Sequence, residues 1–172
     1  MKIDMTYNGT LLTWRGRDYK ATSGLPGTQN ETYQCVPDKG PVPEGLYKLF
    51  INDQGTAADD GTGSCTLKPS WGMQTIPRGA NAGVCEPYWA NWGKNRARLE
   101  AADDATKKLC APVSRSGFYL HDSTKGYSHG CIEVEGVIFT QLREHQKTTK
   151  KTQLILKVTY TKGGSTYGDT KI

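Results

Sequence analysis

Residues 117–135 read GFYLHDSTKGYSHGCIEVE, and they place two of the chain's three histidines and one of its five cysteines within eleven residues, His121 to Cys131. An apolar, strand-like run from Gly117 to Leu120 ends at His121. The six residues Asp122 to Tyr127 are rich in Asp, Ser, Thr, Lys and Gly, so a reversal there is cheap and returns the chain to Ser128. Such a reversal can set the His121 imidazole beside the Cys131 sulfur. Gly130 leaves no Cβ in front of the thiol and can turn its N–H into the same site.

Three chemistries compete for this pattern. A zinc site could use His121, His129 and Cys131 with Asp122 as fourth ligand. Against it, H-x7-H-x-C is not an established ligand spacing, and ligands on either side of Gly130 tend to face apart. A structural hairpin could bury the thiol beside two incidental histidines. The favoured reading is a cysteine–histidine nucleophilic site, which needs a thiolate, a base for its proton and donors for the oxyanion. A neighbouring imidazolium lowers a thiol from its ordinary value of about 8.5.

The flanking chain reads as β structure. Asn8-Gly9 is a favoured two-residue turn between strands Met5–Tyr7 and Leu11–Trp14. Further strands are expected at Tyr19–Thr22, Leu46–Ile51, Arg96–Leu99 and, most clearly, Leu154–Tyr160. EAADDATKK, after Leu99, reads as a charged loop or one helical turn. Val137, Ile138 and Leu142, with His145 at the next turn, fit the inner face of a short helix. Residues 52–93 hold three of the four tryptophans, little periodicity and many turn residues, so they read as a long insertion held by a disulfide. The tail GGSTYGDTKI is expected to fray. No linker divides the chain, so residues 1–172 are read as one domain.

Composition narrows the function. Hydrophobic residues make up 35% and glycines number 20, which suits a loop-rich β domain with a modest core. No run approaches the roughly 18 apolar residues of a membrane span, and MKIDMTYNGT lacks the apolar core of a secretory signal. Membrane insertion is not expected. The net charge is +5, but the one basic cluster, Lys147, Lys150 and Lys151, has no aromatic platform or basic helix beside it, which argues against nucleic acid. Cys35, Cys65, Cys85 and Cys110 sit in loop-like surroundings, unlike Cys131. Two disulfides and one free thiol are expected, with the pairing open and four reduced, buried cysteines as the alternative. Disulfides would place the working protein in an oxidising compartment.

Ser128-His129-Gly130-Cys131, preceded by a strand-terminal histidine, resembles the signature of the L,D-transpeptidases of the YkuD-like fold. PVPEGLYKLFI, Pro41 to Ile51, is similar to that family's Pro-x-Pro-x-Gly turn and strand; SGFYLHD and YKATSG resemble its histidine strand and an early strand ending in Ser-Gly. Two departures stand out: only six residues separate His121 from Ser128 where the family has a spacer in the mid-teens, and Glu133 replaces the usual Asn or Arg. The short spacer, small size and extra cysteines are closest to the branch of type VI secretion L,D-transpeptidase effectors.

The resemblance implies a mainly β, L,D-transpeptidase-like sandwich without metal or cofactor. It implies an antibacterial toxin, made in the cytoplasm without a signal peptide, delivered by the type VI machinery to a target's periplasm and countered by a cognate immunity protein. The toxin would be a monomer acting on peptidoglycan stem peptides as an L,D-carboxypeptidase and a D-amino-acid-exchanging L,D-transpeptidase. Cys131 would be the nucleophile and His121 its base, oriented by the Asp122 carbonyl or carboxylate. Main-chain N–H groups of His129, Gly130 and Cys131 would form the oxyanion hole, with Ser128 and His129 shaping the turn. Tyr119 and Tyr127 could line the pocket. Trp71, Trp89 and Trp92 read as packing before platform, and Arg96 and Arg98 as solvent-facing charge. Another cysteine amidase or endopeptidase, or a non-catalytic wall-binding module, is the alternative.

Overall fold

The computed structural model describes all 172 residues. In chain order the elements are β1 (Met5–Tyr7), β2 (Leu11–Trp14), β3 (Arg17–Ser23), β4 (Gly45–Phe50), β5 (Asp53–Thr56), β6 (Met73–Thr75), α1 (Glu86–Trp89), β7 (Asn95–Ala101), α2 (Asp104–Lys108), β8 (Phe118–His121), β9 (Ile132–Val134), α3 (Val137–Thr149) and β10 (Gln153–Val158). Eight strands close into a ring in the order β4, β10, β1, β2, β3, β9, β8, β7, with β7 returning to β4. The fold is mainly β, as expected, and its two layers join into one sheet. Strand β7 is forked: Leu99–Ala101 pair with β4, while Asn95–Ala97 pair with β6, which carries β5 outside the ring.

Period-two alternation sets the core. Strand β10 buries Leu154, Leu156 and Val158 and turns Gln153 and Lys157 outward. These join Met5, Tyr7, Leu12, Leu49, Ala97, Leu99, Leu120, Ile132 and others in a 24-residue apolar cluster. Each fully buried aliphatic or aromatic side chain there contributes about 1.5–3 kcal/mol. The β1–β2 turn forms at Asn8-Gly9, where Asn8 Oδ1 accepts the N–H groups of Thr10 and Leu11 and Gly9 takes a φ of 107°.

Helix α3 packs through Ile138, Phe139 and Leu142; Val137, expected on the inner face, is exposed. Spacings of three and four from Leu142 select Phe139 and Ile138, and Val137 falls beyond that stripe. His145 is half-buried with its ring edge-on to Trp14, at 5.3 Å between centroids.

The long, loop-rich insertion held by a disulfide is found as expected, and the expectation of a frayed tail is corrected. The 52–93 insertion supplies β5, β6 and α1 and has its own small core of Ala57, Leu67, Ile76, Ala82, Cys85 and Trp89. The Cys65–Cys85 disulfide lies within it, and Cys35–Cys110 ties the loop after β3 to the segment after α2. The tail is not frayed. Thr166 is wholly buried and exchanges hydrogen bonds with Ser23, Gly168 N–H donates to Thr22 Oγ1, and Ile172 N–H reaches Thr124 O. Polar side chains do this without any apolar pattern.

Candidate active site

The register of five adjacent strands lays Gln74, Arg96, His121, Glu133 and Thr22 in one row across β6, β7, β8, β9 and β3. Neighbouring positions in the same strands, Ala97, Leu120 and Ile132, point the other way into the apolar core. The row is therefore the outer face of the ring, yet all five residues are buried. The insertion covers one end, through Trp92, and the tail covers the other, through Thr170. Arg96 and Arg98 were expected to face solvent. Arg96 is instead only 1% exposed, with its guanidinium against the Trp92 and Tyr119 rings, bonded to Gln74 Oε1 and Lys68 O. Arg98 is half-enclosed, bonded to Glu100 and the Tyr119 hydroxyl.

Cys131 stands at the N-terminal end of β9, at the close of the Ser128–Cys131 turn. Two hydroxyls meet on its carbonyl oxygen and fix it, and a third segment is tied in through one of them. Ser128 Oγ donates to that oxygen from within the turn, and Ser23 Oγ donates to it at 2.6 Å from the end of β3. Ser23 in turn accepts Val42 N–H from the Pro-Val-Pro turn at 2.8 Å. The N–H groups of His129, Gly130 and Cys131 are given to no acceptor in the protein. Gly130 has a φ of 91°, and a Cβ there would lie 2.7 Å from an Arg115 guanidinium nitrogen. The left-handed conformation demands glycine, in addition to the open face expected from the sequence, whereas the arginine tip could move aside.

A cavity of about 180 Å³ opens over this turn, lined by Tyr88, Asn91, Trp92, His121, Tyr127, Ser128, His129 and Cys131. Cys131 is the one cysteine outside the disulfides. Its sulfur accepts Tyr119 N–H at 3.3 Å. Burial pushes the thiol up to about 11, against the pull of that N–H and of Arg96, Arg98 and Arg115. Burial likewise pushes His121 down to about 4; hydrogen bonding with the Trp92 main chain opposes the shift, and His129 and Arg96 add to it. Thiol and imidazole are both neutral near pH 7, so a thiolate forms only as its proton passes to a base. The imidazole packs edge-on to Trp92 at 5.6 Å, and its Nδ1 lies 3.1 Å from Ser123 Oγ.

Asp122 does not orient His121 through its carboxylate. That group accepts Lys94 N–H, Asn95 N–H and the Asn95 amide, pinning the insertion's exit to the end of β8. The contacts on the ring come from Ser123 and the Trp92 main chain instead. No group of three or more His, Cys, Asp or Glu side chains is placed to hold a metal ion. Tyr127 lines the cavity, with His129 edge-on beside it at 6.1 Å. Tyr119 lies behind the thiol, its hydroxyl held by Arg98 and Ser70 N–H. Trp89 packs in the insertion's core and Trp71 is exposed. Tyr88, Asn91 and Ser123 were missed, and none carries a local pattern that marks it.

A lone free thiol and a buried imidazole in one cavity, beside a turn with unused N–H donors, define a candidate thiol-dependent acyl-transfer enzyme. A family model described as the Tlde1 domain matches residues 17–158, so the chain belongs to that family of type VI secretion L,D-transpeptidase effectors. It is thus a secreted effector that acts on peptidoglycan in a target's periplasm. A search of curated proteins finds no match. No helix is long and apolar enough to cross a membrane.

Proposed function

We propose that residues 1–172 form one catalytic domain that is a cysteine L,D-carboxypeptidase and D-amino-acid exchange enzyme on peptidoglycan stem tetrapeptides. The observation that carries this reading is the Ser128–Cys131 turn. Its carbonyl is doubly fixed, its thiol opens on a cavity shared with His121, and three N–H groups are left without an acceptor. Cys131 attacks the carbonyl of the third stem residue, meso-diaminopimelate, as His121 accepts the thiol proton. The free N–H groups take the oxyanion. The C–N bond breaks, His121 returns the proton to the leaving amine, and terminal D-Ala departs from a thioester. Water then yields a tripeptide, and a D-amino acid yields the exchanged tetrapeptide.

A second stem is the bulkiest of the acceptors, and the six-residue spacer and Glu133 both depart from the crosslinking relatives' pattern beside the nucleophile, so 3-3 crosslinking is the minor fate. Trimming would itself be toxic because it removes tetrapeptide donors. Two disulfides fit work in an oxidising periplasm. A monomer, with a cognate immunity protein guarding the producer, completes the reading. The test is the mass of products from disaccharide-tetrapeptide. Loss of one alanine is expected; loss of the whole stem would favour an amidase, and no change a binding module.

A further inference from the structure

We infer that Ser123 and Glu133 are positioning residues for His121: the buried Glu133 carboxylate, acting through the Ser123 hydroxyl, holds the imidazole proton on Nδ1 and leaves Nε2 as the basic nitrogen. The inference deepens the reading above, since it rests on His121 being the base for Cys131.

Glu133 is wholly buried on β9, in register with His121 on β8. Its two oxygens collect four donors: the Ser123 and Thr170 hydroxyls, Lys125 N–H at 3.0 Å and Gly126 N–H at 2.8 Å. Four donors on two oxygens fill the sites that an ionised carboxylate offers. None of the protein's ion pairs involves Glu133, and burial pushes its carboxyl up from the usual range; the four donors pull the other way and hold it as the carboxylate.

Ser123 has a single proton, and that proton goes to Glu133 Oε2. Towards His121 Nδ1, 3.1 Å away, its oxygen can then only accept. A ring protonated on Nε2 would set two lone pairs against each other at that distance. The carboxylate charge thus sits two hydrogen bonds from the ring, where it favours the imidazolium that forms when the thiol proton arrives. Asp performs the equivalent service directly in a Ser-His-Asp triad; here a hydroxyl stands between. The same carboxylate folds the six-residue spacer, because Ser123, Lys125 and Gly126 all belong to it.

The experiment reads the His121 tautomer by nitrogen-15 NMR of the intact protein, beside the kinetics of alanine release from disaccharide-tetrapeptide. The wild-type ring should carry its proton on Nδ1. Ser123→Ala should give mixed tautomers and lower kcat roughly ten- to a hundred-fold, with KM and the thermal melt little changed. Ser123→Thr should restore the tautomer and most of kcat. A wild-type ring protonated on Nε2 would assign the orienting role to the Trp92 main chain and overturn the inference. So would a Ser123→Ala enzyme with unchanged tautomer and kcat. If Ser123→Ala does not fold, the wild-type tautomer alone decides. If the wild type releases no alanine, the proposed reaction fails, and the tautomer still decides the relay.

Discussion

Removing the Cys65–Cys85 bond should loosen the insertion far more than the ring. The bridge closes a chain separation of 20 residues lying wholly within that insertion, whereas Cys35–Cys110 closes 75 residues and encloses β4 to β7. Loop-closure entropy assigns about 3 kcal/mol to the first bridge and about 4.5 kcal/mol to the second. For a chain of this length, 1 kcal/mol of global stability shifts the melt by about 2–4 °C. If the insertion opens as its own unit, Cys65→Ala/Cys85→Ala moves the main melt by less than the 6–12 °C its roughly 3 kcal/mol would give. Amide exchange would show the loss instead, through faster exchange across residues 57–92. Activity should fall as well, because Tyr88, Asn91 and Trp92 form one wall of the cavity. Cys35→Ala/Cys110→Ala should lower the main melt by the larger amount. Undiminished protection across 57–92 together with full activity in Cys65→Ala/Cys85→Ala would refute the reasoning.

Other consequences follow from buried charge. His121, held near 4 by burial, is neutral in the native state where an unfolded histidine takes up a proton. Stability is therefore present in full above about pH 6.5 and falls as pH drops towards 4, by about 3 kcal/mol. Denaturant titrations at several pH values should show this slope, and His121→Gln should lessen it. The acid limb of kcat/KM should lie nearer 4 than 6.5, and a limb at 6.5 would mean that the imidazole is hydrated. Arg96→Met should slow alkylation of Cys131 by iodoacetamide at pH 8, since that cation favours the thiolate. Unchanged alkylation would remove Arg96 from the thiol's field. Deleting residues 168–172 removes the Gly168, Thr170 and Ile172 hydrogen bonds and should cost about 2–3 kcal/mol; an unchanged melt would mean that the tail does not hold the ring.

The strands were legible where alternation or a turn marks them. Tyr7-Asn8-Gly9 announces the first hairpin, and Leu154, Leu156 and Val158 announce β10 by period. Alternation, however, does not say whether the second face is wet. Arg96 and Arg98 read as solvent-facing because charge on alternate strand positions usually marks an open face. Here that face is roofed on one side by Trp92, in the irregular segment just before β7, and on the other by Thr170 of the distant tail, and alternation reports neither. The tail was illegible for the same reason: its order comes from hydrogen bonds to Ser23, Thr22, Glu133 and Thr124, none of which leaves a local pattern. The surroundings of Cys131 were more readable. YKATSG, PVPEG and SHGC looked like separate fragments and meet at the Cys131 carbonyl through Ser23 and Val42. The two departures from the usual signature, the six-residue spacer and Glu133, turn out to be one feature, since the carboxylate is the post around which the spacer folds.

The central claim is that Cys131 carries the stem peptide as a thioester. Acid-quenching a reaction with disaccharide-tetrapeptide and mapping the modified peptide by mass spectrometry tests it most directly. The account predicts an adduct on Cys131 with the mass of the stem less one alanine, released by hydroxylamine and absent from Cys131→Ala, which should also release no alanine. An adduct on another residue, or alanine release that survives in Cys131→Ala, would contradict it.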